Sequence, residues 1–240
     1  IATHSPDIVS AFDPECIVSV KAHGKVVQPA QGLLNNDQRL ILTWWVKDKL
    51  EPLTARHIIF VEGISDRIVL ERVAELTERE LDRLGVTIME VGGCKNMKHV
   101  WSLFGADGFD IPTSILIDED AVPDVPKYLN IQQDEFEQNS VWVSIKDLED
   151  EYVQALDRNT LISELLSSGM FETKKQQELE TKFNDNTITD EDIAEFCRFK
   201  PKRHPNHKVA AASIVSQLLD ESSASEIKSI MDLLNNIESV

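Results

Sequence analysis

Short apolar runs that alternate with helical segments constrain the fold of this chain more than any other feature of its sequence. Each run has about five residues and is expected to form a buried strand, at His57–Val61, Val86–Val91, Thr113–Ile117 and Ser140–Ile145. Helical periodicity follows at Asp66–Leu76, or as far as Leu84, with Ser65 as N-cap, and again at about Met97–Phe104. Strands that alternate with helices are typical of a parallel sheet flanked by helices, so the sequence predicts an α/β fold.

Carboxylates follow the first and the third of these runs. Glu62 comes directly after the first run, and Asp66 lies at the start of the helix behind it. Asp118 and Asp120 follow the third run. In an extended segment, residues i and i+2 point to the same side, so Asp118 and Asp120 should point together and Glu119 away from them. Since open α/β sheets bind ligands at the carboxyl ends of their strands, these carboxylates are expected in one crevice.

Such a cluster is the outline of a divalent-metal site. Hydrolysis of a phosphodiester by two metal ions requires carboxylates that hold the ions about 3.5–4 Å apart. Magnesium keeps several of its waters and takes only a few carboxylates, so a loose acidic cluster is enough. Several carboxylates at one edge would repel one another strongly without a cation. The residue pattern therefore predicts a site for two divalent ions at this edge of the sheet.

A further acidic group follows the fourth run, in the segment Lys146–Glu151. Glu149 and Glu151 are the preferred additional ligands, with Asp147 behind them. The next segment is acidic and helical in period, and its helices are expected at Tyr152–Leu156, Asn159–Ser167, Thr173–Phe183 and Asp190–Phe196. Thr189 is the expected cap of the last of these helices. We interpret this segment as a helical insertion in the α/β fold.

Basic residues are concentrated late in the chain. The net charge is -18 and the pI about 4.7, which argues against broad, non-specific binding of nucleic acid. Five Lys or Arg nevertheless occur among the eleven residues of Arg198–Lys208, directly before an expected helix at Val209–Leu219. This stretch is either a solvated loop or a phosphate contact beside the metal site. A final amphipathic helix is expected at Ser225–Val240.

The remaining composition favours an intracellular, cytoplasmic protein. Cys16, Cys94 and Cys197 are far apart and are expected to be reduced thiols. The sequence shows no signal peptide and no apolar run near the roughly 20 residues that a bilayer span requires. Because the chain begins at Ile1 without a methionine, we expect it to be a C-terminal fragment.

The first 52 residues are expected to belong to a different domain. A hairpin is predicted from Cys16–Val20 and Lys25–Val27, one helical turn at Asp7–Ala11, and a mostly apolar helix at Asp37–Leu50. The turn Ala2-Thr-His-Ser-Pro6 contains His4, which either has no role or contacts a ligand. No phosphate-binding G-x-x-x-x-G-K-[ST] loop is present in the sequence, so this chain alone is not expected to hydrolyse ATP by that route.

Several of these motifs together resemble a known family. Val61-Glu-Gly-Ile-Ser-Asp66 and Leu116-Ile-Asp-Glu-Asp120, with Val91-Gly-Gly93 between them, resemble the TOPRIM fold of topoisomerases, primases and related nucleases. The Ala-Thr-His-Ser turn resembles the switch-histidine turn of ABC-type ATPase domains. With that turn, and with Asp120-Ala121, the chain is similar to the overcoming-lysogenization-defect (OLD) family of ATP-linked nucleases. The resemblance implies a nuclease domain that cuts or nicks DNA with Mg²⁺ or Mn²⁺, joined to an ATPase domain of which only the end is expected here.

The resemblance also implies roles for individual residues. Glu62, Asp66, Asp118 and Asp120 correspond to metal ligands, and Glu62 and Asp118 also count as catalytic. The catalytic lysine precedes an alanine-rich helix in the family, which best matches Lys208, with Lys200 and Lys202 as alternatives. The resemblance further implies that Lys200, Lys202 and Arg203 contact DNA. It also implies that His4 contacts the terminal phosphate of ATP, and this contact requires the rest of the ATPase domain.

These inferences give a domain plan and a set of partners. The expected order is the end of an ABC-type ATPase domain and a connecting helix (1–52), a TOPRIM core (53–147), the helical insertion (148–196) and a segment that completes the nuclease (197–240). DNA is the expected partner, membranes are not, and a homodimer or larger assembly is expected to form through the ATPase domain.

Two alternatives to a DNA endonuclease remain. A topoisomerase or primase fragment would use the same fold, but a topoisomerase needs a nucleophilic tyrosine, and neither Tyr128 nor Tyr152 lies in a recognisable setting. A regulatory or oligomerisation module of an ATPase could bind magnesium without turnover. The basic stretch that ends at Lys208 argues against this second alternative, because a metal-sensing module has no need of a lysine that faces phosphate.

Overall fold

The computed structural model describes residues 1–21, 24–34, 51–200 and 206–238. The predicted helix at Asp37–Leu50 and the predicted DNA contacts Lys202 and Arg203 lie outside these residues. The described chain forms two compact units. The first comprises Ile1–Glu62, Leu81–Ile115 and Pro123–Val141, and the second comprises Gly63–Glu80, Leu116–Val122 and Trp142–Val240.

The amino-terminal part of the first unit contains short elements. Helix α1 spans Pro6–Val9, strand β1 spans Ser19–Val20, strand β2 spans Val26–Val27 and helix α2 spans Glu51–Thr54. The two strands pair antiparallel, with Ser19 opposite Val27, which confirms the predicted hairpin. Pro52 and Leu53 of α2 are buried.

One sheet of four strands positions the acidic residues. Its strands are β3 (His57–Val61), β4 (Val86–Glu90), β5 (Thr113–Asp118) and β6 (Val141–Ser144), in the order β4-β3-β5-β6. Strand β3 runs parallel to both β4 and β5 and is buried along its whole length. A continuous apolar run of this kind is typical of a strand with both faces covered. The predicted α/β fold with a parallel sheet is confirmed.

The helices that follow the first strands are α3 (Ile64–Leu76), α4 (Leu81–Leu84), α5 (Met97–Phe104) and α6 (Val125–Leu129). Helix α5 has the predicted bounds. The extension of α3 to Leu84 was wrong, because α3 ends at Leu76 and Glu78 has a positive φ of 60°, which right-handed helix cannot accommodate.

The start of α3 also differs from the prediction. The helix begins at Ile64 with Gly63 as N-cap, so Ser65 lies inside the first turn and is not the N-cap. Its hydroxyl donates instead to Asp66 Oδ1, at 3.1 Å. The other oxygen of Asp66 accepts the backbone N–H of Gly63, at 2.8 Å. Asp66 therefore caps the helix that it was expected to begin.

The second unit is mainly helical. Its further helices are α7 (Leu148–Ala155), α8 (Arg158–Ser167), α9 (Thr173–Asn184), α10 (Asp190–Arg198), α11 (His207–Leu218), α12 (Glu221–Ser225) and α13 (Lys228–Glu238). Each predicted helix of the acidic segment is present. Thr189 caps α10 in a reciprocal pair with Asp192, as predicted. The single tail helix predicted from Ser225 was wrong at its start, because α12 ends at Ser225 and α13 begins only at Lys228.

Packing joins the acidic helices to the carboxy-terminal ones. Helix α11 packs on α3 and α10, and α10 packs on α7. Helix α7 begins at Leu148, earlier than predicted, because Asp147 Oδ1 accepts the backbone N–H of Asp150 at 3.0 Å. The predicted domain boundaries at residues 52, 147 and 196 stay predictions. Within the described residues, none of the helices has the length and apolar character that crossing a bilayer would require.

A buried histidine at the start of the sheet makes the stability depend on pH. His57 is 8% exposed, and its Nε2 lies 2.9 Å from the hydroxyl oxygen of Ser114. Burial lowers the pKa of His57 from 6.5 to about 4. Between these two values the unfolded chain binds a proton at His57 and the folded chain does not, so the free energy of unfolding falls as the pH falls through this window.

We predict that His57→Gln removes this part of the pH dependence. A pKa difference of this size corresponds to about 3 kcal/mol of stability at neutral pH relative to pH 4. Urea unfolding at pH 7 and pH 4.5 should show a wild-type advantage over the variant at pH 7 that shrinks at pH 4.5. Parallel pH profiles for the two proteins would contradict the assignment.

Candidate metal centre

Three carboxylates converge where β3 and β5 end. Glu62 directly follows β3, Asp118 is the last residue of β5, and Asp120 lies in the turn after it. One oxygen from each lies within 4.8 Å of the others. Glu62 and Asp118 are half-buried and Asp120 is exposed, so the group is open to solvent on one side. The predicted crevice therefore contains these three of its four expected carboxylates.

Two glycines fix the backbone at Glu62. The N–H groups of Gly92 and Gly93 donate to the carbonyl oxygen of Glu62, at 2.9 and 3.0 Å. Both glycines have positive φ angles, 73° and 108°, which residues with a side chain rarely adopt. The Val91-Gly-Gly93 motif thus holds the end of β3 and the Glu62 side chain in place.

Asp118 and Asp120 come together through a backbone geometry that differs from the predicted one. The segment Glu119–Ala121 is a turn of 3-10 helix, so the expectation of an extended strand through Asp120 was wrong. Glu119 does point away: it is exposed, and its Oε2 accepts the N–H of Lys146 at 3.1 Å. The N–H of Glu119 in turn donates to the carbonyl oxygen of Lys146, at 3.0 Å. This double contact ties the loop after β6 to the centre of the acidic motif.

Lys208 places a positive charge beside the acidic residues. It lies in the first turn of α11, and its Nζ is 3.1 Å from Glu149 Oε1 and 3.7 Å from Asp66 Oδ1. Burial lowers the pKa of Lys208, but the neighbouring Glu149, Asp66 and Asp118 carboxylates outweigh burial and raise the pKa above its ordinary value. The ammonium group is therefore charged at neutral pH.

The two glutamates of α7 have different surroundings. Glu149 is 2% exposed, and its second oxygen, Oε2, is buried without a hydrogen-bond partner among the described residues. Glu151 is saturated: Oε1 accepts the N–H of Ile145, and Oε2 accepts both the N–H and the hydroxyl of Ser229, each at 3.0 Å. Ligation of a metal by Glu149 or Glu151 stays a prediction, and the contacts favour Glu149 over Glu151.

Arg198 contacts two further carboxylates, the N-cap Asp147 and Asp150 of α7. Arg198 Nη1 lies 2.9 Å from Asp147 Oδ2, and its Nη2 lies 2.8 Å from Asp150 Oδ2. Burial, together with the nearby charge of Glu149, raises the pKa of Asp147 to about 7. Asp147 and Asp150 therefore serve as the cap and the arginine contact of α7, which holds Glu149 towards Lys208.

A buried histidine that the sequence reasoning missed anchors Lys208. The neighbouring His207 is 2% exposed, and its ring centre lies 4.6 Å from Phe171, 4.9 Å from Phe196 and 5.4 Å from Phe199. Its Nε2 donates to the carbonyl oxygen of Phe196, at 2.7 Å. These contacts fix the first turn of α11 and with it the position of Lys208. In the sequence, only the place of His207 directly before Lys208 pointed to this role.

The remaining predicted residues lie elsewhere. Lys200 is exposed and lines a cleft of about 490 Å³ together with Lys175 and Phe199. His4 is also exposed, in a turn where the N–H of Ser5 donates to the hydroxyl of Thr3 at 3.0 Å. The predicted contacts of Lys200 with DNA and of His4 with ATP stay predictions.

The donor set fits a hard divalent cation. Carboxylate oxygens are the ligands that Mg²⁺, Ca²⁺ and Mn²⁺ prefer, whereas the softer transition metals favour imidazole and thiolate. The cluster of Glu62, Asp118 and Asp120 offers only oxygen, and the buried Oε2 of Glu149 needs a positively charged or proton-donating partner. The residues present therefore fit a magnesium or manganese centre.

The comparisons with known proteins agree with this fold and this acidic motif. Residues 53–120 match the family model described as "Overcoming lysogenization defect protein-like, TOPRIM domain". This segment is an OLD-like TOPRIM domain. The matched residues include β3, the Val91-Gly-Gly93 motif and the acidic motif at the end of β5. A search among curated proteins gave no match.

Solved structures resemble this OLD-like TOPRIM domain and the helices around it. The C-terminal region of the Burkholderia pseudomallei OLD protein is 22% identical, with a TM-score of 0.59, and the match covers 77% of this chain and 98% of that chain. The C-terminal region of the Xanthomonas campestris pv. campestris OLD protein is 21% identical, with a TM-score of 0.57, over 79% of this chain and 97% of that chain. At these identities the likeness shows the fold, which is that of OLD C-terminal regions.

We predict that Lys208→Met destabilises the metal-free protein by about 3 kcal/mol, because it leaves the buried carboxylates of Glu149 and Asp66 without their cation. Added Mg²⁺ or Mn²⁺ should restore part of this loss, because a bound cation offsets the same charges. Lys200→Met is the matched control, since Lys200 is exposed. Thermal unfolding with and without metal measures both effects, and equal melting temperatures for the two variants would contradict the role of Lys208.

Proposed function

We propose that this chain is the nuclease part of an ATP-linked OLD-family protein and that it nicks or cleaves DNA as a divalent-metal-dependent endonuclease. The observation that carries the proposal is the convergence of Glu62, Asp118 and Asp120 within 4.8 Å, inside the segment that matches the OLD-like TOPRIM model. The positive charge of Lys208 beside this edge supports the same reaction class.

Two groups of residues would hold the metal. Glu62, Asp118 and Asp120 supply one set of oxygens, and Asp66 and Glu149 supply the oxygens nearest Lys208. Bound in this way, two Mg²⁺ or Mn²⁺ ions would supply an activated water and neutralise charge on the leaving oxygen. The protein contributes the fixed positions of these carboxylates, which the sheet edge, the Gly92-Gly93 contacts and the cap of α3 determine.

Lys208 binds and orients the phosphate in this mechanism. Its charged Nζ donates to a non-bridging phosphate oxygen and stabilises the negative charge that develops during displacement. Because Glu149 and Asp66 hold the ammonium group and His207 anchors the helix turn beneath it, Lys208 is in place before the substrate arrives. Because the charge is already in position, the site does not have to reorganise during the reaction.

DNA binding requires a local reversal of charge. The chain carries a net charge of -18, so the phosphate backbone is repelled by most of its surface. We propose that Lys200, Lys202 and Arg203, which precede α11, contact the backbone on either side of the phosphate that Lys208 binds. By the resemblance to the OLD family, His4 would contact the terminal phosphate of ATP in a complete ATPase domain. A homodimer or larger assembly would form through that domain, in the cytoplasm.

Two observations favour an endonuclease over the alternatives. A topoisomerase would need an accessible nucleophilic tyrosine, but Tyr152 is 1% exposed, and Tyr128 lies in α6 outside the acidic motif. A metal-binding module without catalysis would use Lys208 only to offset the charges of Glu149 and Asp66, whereas an ammonium group at the edge of the acidic site also serves the phosphate of a nuclease substrate.

We predict that the purified chain nicks or cleaves plasmid DNA with Mn²⁺ or Mg²⁺ and that EDTA abolishes the activity. Asp118→Asn should lower the rate at least about 100-fold, because the loss of one charged ligand weakens the metal site while the amide oxygen can still accept the N–H of Leu148. Glu119→Gln is the matched control, because Glu119 lies next to Asp118 in the chain but its carboxylate points away from the site. Equal activity of the Asp118 variant and the wild type would exclude this site as the catalytic one.

A second comparison separates the chemical step from DNA binding. Lys208→Ala should lower kcat, because the lost charge acts on the reacting phosphate, whereas Lys202→Ala should mainly raise KM. Steady-state cleavage of a labelled duplex at two salt concentrations measures both. If the two variants lose kcat to the same extent, the catalytic lysine lies elsewhere in the basic stretch.

A further inference from the structure

Two exposed isoleucines lie in the segments that adjoin the carboxylates of the candidate site. In the second unit, the large apolar side chains exposed among the described residues are Ile64 (53%), Ile145 (64%) and Met170 (50%). Single exposed apolar residues are ordinary on protein surfaces, and Met170, three residues after the end of α8, is one of them. The two isoleucines differ from it because both flank the carboxylates.

Ile64 lies within the first acidic motif. It is the first residue of α3, two positions after Glu62 and two before Asp66. The backbone around it is fixed, since Gly63 donates to Asp66 and its carbonyl oxygen accepts the N–H of Arg67, at 3.3 Å. The exposed side chain therefore lies on a hydrogen-bonded turn between Glu62 and Asp66, two of the proposed metal ligands.

Ile145 lies next to a residue that contacts the second acidic motif. Its N–H donates to Glu151 Oε1 at 3.0 Å, and the next residue, Lys146, forms two hydrogen bonds with Glu119. These contacts hold an exposed isoleucine on a loop that is tied to the residue between Asp118 and Asp120. An exposed side chain with so constrained a backbone loses little entropy when it binds a ligand.

We propose that Ile64 and Ile145 are apolar contacts to the bases of a DNA substrate that is locally unpaired or unstacked at the cut site. The inference rests on the proposed endonuclease function and names the form of DNA that the site prefers. Apolar side chains, isoleucine among them, insert between base steps and unstack them. The unstacking cost is least where the DNA is mismatched or already single-stranded, so such contacts select for that DNA.

Charge favours nucleic acid over a protein as the occupant of this surface. Ile64 lies between Glu62 and Asp66 in the chain, and Ile145 precedes Lys146, which is hydrogen-bonded to Glu119. A protein that covered both isoleucines would therefore also approach charged residues and would have to desolvate them. A DNA strand brings phosphates and its associated divalent ions to the same place, where the carboxylates and the lysine can pair with them. Bases lie next to those phosphates, within reach of the isoleucines.

The test compares Ile64→Ser, Ile145→Ser and the double variant with Met170→Ser, which removes an equally exposed apolar side chain at another position. Cleavage with Mn²⁺ is measured on a paired duplex and on the same duplex with a central bulge. The wild type and Met170→Ser should prefer the bulged duplex by at least about tenfold in kcat/KM, and the double variant by about twofold or less. Thermal shifts with Mn²⁺ should be equal for all four variants, which shows that the metal site is intact.

A 2-aminopurine beside the bulge gives a second readout, since its fluorescence rises when it is unstacked. The rise on binding to the wild type, in Ca²⁺ in place of Mn²⁺, should be lost in the double variant and kept in Met170→Ser. The inference is overturned if the double variant keeps the substrate preference, or if it loses cleavage of both duplexes equally, and the proposed function then stands. Absence of metal-dependent cleavage of either duplex by the wild type would overturn the proposed function as well.

Discussion

The attraction between Lys208 and the carboxylates of Glu149 and Asp66 is the interaction on which this site depends. Carboxylates gathered at one sheet edge repel one another, and the repulsion grows as they are buried. A buried ammonium group offsets part of that repulsion and thereby keeps Glu149, only 2% exposed, compatible with the folded state. Divalent cations would offset the rest, so metal binding and stability are coupled through the same charges.

The fold supplies these charges from distant parts of the sequence. A parallel sheet brings the carboxyl ends of β3 and β5 to one edge, where Glu62 and Asp118 meet. The helical part supplies Glu149 from α7 and Lys208 from α11. Arg198 holds α7 in position through its contacts with Asp147 and Asp150, and the ring contacts of His207 hold the start of α11 in position. What the sequence shows as an acidic insertion is therefore the scaffold that positions one side of the site.

The sequence predicts what depends on local pattern and misses what depends on tertiary contact. The bounds of β3 and α5 followed from apolar periodicity, whereas Asp118 and Asp120 converge through a 3-10 turn and not through the extended segment that their spacing suggested. Ser65 was mistaken for the N-cap because Asp66 satisfies the free N–H of Gly63 from inside the helix. The saturation of Glu151 by Ser229 and the burial of His207 against Phe171 are contacts over long sequence separations, which no local pattern encodes.

The most direct test of the account is anomalous diffraction from crystals of this chain grown with Mn²⁺. We predict two manganese peaks at the carboxyl edge of the sheet, one of them contacted by Glu62, Asp118 and Asp120, with Glu149 or Asp66 at the second. A crystal that binds manganese elsewhere and leaves these carboxylates without a peak would contradict the central claim that they form a two-metal nuclease centre.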